Sequence, residues 1–91
     1  MTAVSREVAI TNMRGLHARA SAKFVAMASE LDAEIEVEKD GNKVCGTSIM
    51  GLMMLGAAMG DSITISATGI GAEQAVEQLS ALVEAKFHED V

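Results

Sequence analysis

Apolar and polar positions alternate along this chain in two different rhythms. Glu34-Ile35-Glu36-Val37-Glu38 and the stretch Ser62 to Thr68 repeat every second residue, the pattern of a strand with one face in a core and the other in water. Arg6 to Ile10 reads the same way, with Val8 and Ile10 on one face. Asn12-Met13-Arg14-Gly15 then supplies turn chemistry. There the period lengthens: Ala20, Phe24, Met27, Ala28 and Leu31 fall at helical spacing, which predicts a first helix from about Ala18 to Glu30. Asp40-Gly41 marks a hairpin into a short strand near Lys43 to Cys45. Ser48 to Leu55 reads as a short apolar helix between Gly46 and Gly56. Gly69-Ile70-Gly71 ends the last strand, and Ala72, Ala75, Val76, Leu79, Leu82 and Val83 outline a final amphipathic helix.

The predicted order is βαββαβα. Such an order forms an α+β domain, a two-layer open-faced sandwich in which three helices cover one face of a four-stranded, mostly antiparallel sheet. With 91 residues and no proline, the chain suits one domain over residues 1–91, with little volume for an enclosed pocket, so chemistry belongs on its surface. Gly56-Ala57-Ala58-Met59-Gly60 matches GxxxG formally, but the charge-free run around it is far short of the ~20 apolar residues of a membrane span.

Composition narrows the function classes. Hydrophobic residues are 49% of the chain and aromatics 2%, so the core is aliphatic, with seven Met among its candidates. The net charge of −6 repels phosphate backbones, and scarce aromatics leave no stacking platform, which argues against nucleic acid. A single cysteine, Cys45, excludes an internal disulfide, and with two histidines far apart in sequence no metal site is indicated. The start, Met1 to Arg6, lacks an apolar signal core, so a cytoplasmic protein without membrane insertion is expected. Charge is unevenly spread. Val8 to Ser29 and Gly41 to Gly60 hold no acidic residue, and the first carries Arg14, Arg19 and Lys23, a local patch suited to an anion or an acidic protein.

Within that patch, Gly15-Leu16-His17-Ala18-Arg19-Ala20-Ser21-Ala22 sets a histidine between a glycine turn and a helix start. Backbone N–H groups without helical partners point outward at such a junction and carry the positive end of the helix dipole, so it suits an anion. A phosphoryl group on His17 could be held by those N–H groups and by Arg19. Read from spacing alone, His17 serves equally as a helix cap without chemistry.

The run from Asn12 to Arg19 resembles the active-site signature of HPr, the histidine-containing phosphocarrier family of the phosphoenolpyruvate phosphotransferase system. A second block, Ser48-Ile49-Met50-Gly51-Leu52-Met53-Met54-Leu55-Gly56, resembles that family's regulatory-serine segment. The resemblance covers essentially the whole chain. It implies that His17 accepts a phosphoryl group from phosphorylated Enzyme I and donates it to Enzyme IIA-type proteins, with Arg19 steadying the phosphate and no cofactor. His17 and Arg19 are thus the catalytic candidates of a covalent carrier, not of a free-standing enzyme.

For Ser48 the resemblance implies regulatory phosphorylation by an HPr serine kinase/phosphatase, and the residues alone suggest a helix cap. Ile49, Met50 and Met53 become candidates for partner docking. Two positions depart from the family: Ala20 stands where proline is common, and Thr47 where lysine is frequent. Ala20 loosens the helix start and keeps an N–H there. Leu52-Met53-Met54-Leu55, Ala67-Thr68-Gly69 and Phe87-His88-Glu89-Asp90 look more like the nitrogen-related regulatory branch than the sugar-transport branch. The rival class is a non-catalytic regulatory module that binds proteins through its basic helix start. A small hydrolase is disfavoured, because no carboxylate or hydroxyl stands near His17 in triad-like order.

Overall fold

The computed structural model describes residues 3–89, so Asp90, the last residue of the branch-like tail motif, and both ends of the expected 1–91 domain lie outside the described residues. The element order is β1 (Val4–Ala9), α1 (Ala18–Ser29), β2 (Glu34–Lys39), β3 (Asn42–Cys45), α2 (Ile49–Met54), β4 (Ser62–Thr68) and α3 (Ala72–Glu84). The expected βαββαβα sandwich is present. Its four strands form one sheet in the order β1-β4-β2-β3, and every pairing is antiparallel.

Alternation sends Val8, Ile35, Val37, Ile63, Ile65 and Ala67 into the core, while Glu34, Glu36 and Ser62 face water. From the helices come Ala20, Phe24 and Ala28 of α1, Leu52 of α2, and Ala75, Val76, Leu79 and Val83 of α3. The β2–β3 hairpin closes through Asp40 and Gly41 with φ of 52° and 85°, a two-residue turn whose twist matches the strands.

β1 begins two residues earlier than expected and stops at Ala9. Ile10 is buried but leaves the ladder, donating its N–H to the Asp61 carbonyl at 2.7 Å. A larger difference lies after α3. There Lys86, Phe87 and His88 make a single turn with φ of 57°, 55° and 60°. Phe87 is fully buried at its centre. His88 lies beyond α3 in this turn.

Candidate functional site

The loop between β1 and α1 is held by its backbone. Gly15 donates to the Asn12 carbonyl at 3.2 Å, and Leu16 donates to the Ala57 carbonyl at 2.9 Å, tying the loop to the segment after α2. Gly15 takes φ +63°, and a Cβ there would stand 2.3 Å from the Ala57 carbonyl oxygen. Only glycine satisfies both the left-handed backbone and this close approach. Ser21 is fully buried and its hydroxyl donates to the Leu16 carbonyl at 3.2 Å, fastening the first turn of α1 from below.

His17 is the N-cap of α1, in extended backbone, and its Nδ1 accepts the Arg19 N–H at 3.3 Å. The first intrahelical bond from this end is Ser21 N–H to the His17 carbonyl, 2.9 Å. The N–H groups of Ala18, Arg19 and Ala20 therefore precede the helical ladder, and that of Arg19 meets Nδ1. Ala20 contributes an N–H that proline would lack. The Arg14 and Arg19 side chains are exposed. Because Nδ1 is an acceptor here, the ring proton is on Nε2, and Nε2–H donates to Glu89 Oε2 at 2.5 Å.

Glu89 and Asn12 are the site residues that sequence reasoning missed. Asn12, a turn former by its sequence, is fully buried and donates both amide hydrogens, to the Gly15 carbonyl at 2.8 Å and to Glu89 Oε1 at 3.0 Å. Both partners are pure acceptors, which fixes the amide orientation; Asn12 Oδ1 is left without a partner among the described residues. Lys23 Nζ donates to the Phe87 carbonyl at 2.7 Å and holds the tail turn against α1. Partial burial of Glu89 opposes its charge, but the hydrogen bonds from His17 and Asn12 and the charge interactions with His17 and Lys23 win and hold its carboxyl below the ordinary range. The motif Phe87-His88-Glu89-Asp90 carries no local signal of a contact between the tail and the histidine loop.

The structure brings His17 and Arg19 together at the start of α1. Ser48 stands apart as the N-cap of α2, its hydroxyl accepting the Gly51 N–H at 2.9 Å. Beyond it Leu52 is buried, whereas Ile49, Met50 and Met53 are 40%, 69% and 41% exposed. Cys45, on β3, is exposed. Hydrogen bonds from the Thr47 hydroxyl and backbone lower its thiol pKa against burial and the nearby Glu36 and Glu34. Among the described residues no helix is long and apolar enough to cross a membrane.

Comparison with known proteins places this geometry. The family model for the PTS HPr component phosphorylation site matches residues 4–85. The chain is 45% identical over 89 residues to the phosphocarrier protein NPr of Shewanella violacea, covering 98% of each. It is 40% identical over 81 residues to the HPr-like protein Crh of Bacillus subtilis, covering 89% of this chain and 95% of that one. The crystal structure of HPr-C-His from Thermoanaerobacter tengcongensis superposes with a TM-score of 0.89 at 44% identity, covering all of both chains.

Proposed function

Because the chain belongs to the HPr family and is a phosphoryl carrier of the phosphotransferase system, we propose that its cargo rides on Nδ1 of His17. The observation that carries this reading is the state of the ring. Nε2 holds the proton against Glu89, and Nδ1, its lone pair turned to the start of α1, accepts the Arg19 N–H there. His17 is 22% exposed, enough for a donor to reach one ring edge. An incoming phosphoryl group meets the N–H groups of Ala18, Arg19 and Ala20 and the positive end of the helix. Arg19 adds a guanidinium that can grip two phosphate oxygens at once. Stabilisation of this strength is moderate, which suits a group that must be passed on.

The donor in this reading is phosphorylated Enzyme I, the acceptors are Enzyme IIA-type proteins, and the exchange takes place in the cytoplasm. Ile49, Met50 and Met53 are exposed on α2, and the two unbranched, flexible methionines suit a surface that receives several partners in turn. Ser48 is the regulatory position: a phosphate there meets the N-terminus of α2 favourably, but sets two negative charges beside those docking side chains. An HPr serine kinase/phosphatase would place and remove it. The likeness to NPr favours a regulatory, nitrogen-related system. Transfer to a nitrogen-type Enzyme IIA with little to a sugar-specific one is the expected result, and the reverse preference would reject that branch.

Intact mass after incubation with phosphoenolpyruvate, magnesium and Enzyme I tests the site itself. One acid-labile phosphoryl adduct is expected on the wild type and none on His17→Ala. An adduct that survives in His17→Ala would move the cargo to another residue.

A further inference from the structure

Resting on the reading of His17 as the carrier residue, we infer that Glu89 is a positioning residue for phosphoryl transfer, holding the ring in the one tautomer whose Nδ1 can attack. A neutral imidazole has one proton for two nitrogens, and in water it moves freely between them. Here the Glu89 carboxylate accepts Nε2–H at 2.5 Å. A carboxylate can only accept, so the proton stays on Nε2 and the lone pair on Nδ1.

The tail is built for this contact. Phe87 is fully buried, Lys23 Nζ fastens its carbonyl at 2.7 Å, and the buried Asn12 fixes the second carboxylate oxygen at 3.0 Å. Three successive non-glycine residues at positive φ, Lys86 to His88, adopt a backbone that costs free energy in each and persists only where the surroundings impose it. Without that left-handed turn Glu89 would not face the ring. Its side chain is 12% exposed, so water competes weakly for the carboxylate.

The chemistry balances at each step. The Nδ1 lone pair forms a bond to phosphorus while the donor's bond to phosphorus breaks, its electron pair staying with the donor. Nε2 keeps its proton, so the phosphorylated ring is an imidazolium whose charge lies against Glu89. In onward transfer the N–P bond breaks, its electron pair returns to Nδ1 and the neutral ring is restored. Glu89 holds the same proton throughout, and the cationic ring is the better leaving group.

Two variants test this, Glu89→Gln and Glu89→Ala. The glutamine must turn its amide nitrogen either to Nε2, drawing the ring proton to Nδ1, or to Asn12, where two donors would meet. Imidazole nitrogen NMR at neutral pH should show a fixed Nε2–H ring in the wild type and a shift toward Nδ1–H or a mixture in both variants. Transfer from phosphorylated Enzyme I should slow about 10- to 100-fold, as when an orienting partner of a reactive ring is lost. Variants with wild-type nitrogen signals, or with wild-type rates, would overturn the inference. His17→Ala, run alongside, separates the failures: an adduct there rejects the carrier residue itself, whereas its loss with unaffected Glu89 variants rejects only the role of Glu89.

Discussion

At the scale of single residues, the site depends on two that carry no chemistry of their own, Gly15 and Asn12, and on one that carries charge, Glu89. Gly15→Ala would force a Cβ into the Ala57 carbonyl at 2.3 Å from a left-handed backbone. Thermal or denaturant unfolding should show a loss of about 1–3 kcal/mol or more, with the histidine loop displaced. Glu89 predicts a pH effect whose sign follows from its lowered carboxyl pKa. The folded state binds the proton less readily than the unfolded one. Its contribution is therefore complete above the ordinary carboxylate range and is lost as pH falls through the lowered folded value. Melting temperatures of the wild type should decline through the acid range, about pH 5 to 3, more steeply than those of Glu89→Gln. His17 and Arg19 were legible in sequence because a histidine at a glycine turn and helix start is a local pattern. Glu89 was not, since 72 positions separate it from His17 and three ordinary residues in left-handed backbone leave no propensity signal.

Among the elements, α2 shows best how capping and docking divide one short helix. Ser48 caps it through the Gly51 N–H. Ser48→Ala should cost about 1 kcal/mol in denaturant unfolding, and Ser48→Asp, which keeps a capping oxygen and adds charge at the helix start, much less. If α2 is the docking surface, Ser48→Asp should nevertheless weaken transfer; equal effects of both variants on stability and transfer would leave the serine only its structural role. Strands and helices were readable from periodicity because each buries one face: β4 and the buried face of α3 agree with the sequence reading. The ends were less so. Ile10 keeps the strand pattern but spends its backbone N–H on Asp61, and the burial of Phe87 needs a turn that no period describes.

For the whole molecule, folding joins what the sequence holds apart. The two acid-free windows meet where Leu16 donates to Ala57 and Gly15 packs on Ala57 and Ala58, giving an acidic chain one end at which Arg14 and Arg19 are exposed. Steering of an acidic partner by that end is screened over about 8–10 Å in ordinary salt. Second-order transfer rates should accordingly fall several-fold from low to physiological ionic strength, and Arg14→Glu should flatten that dependence. Unchanged rates across salt would remove charge from the account of recognition.

The contact between His17 and Glu89 also sets an order of events during synthesis. β1 waits for β4, with Ser5 and Ser66 61 positions apart, and the carboxylate that fixes the ring is reached only with residue 89. A nascent chain displays its histidine long before the partner of that ring exists: by the inference drawn for Glu89, the ring is fixed only after residue 89 has been made and folded back onto the start of α1.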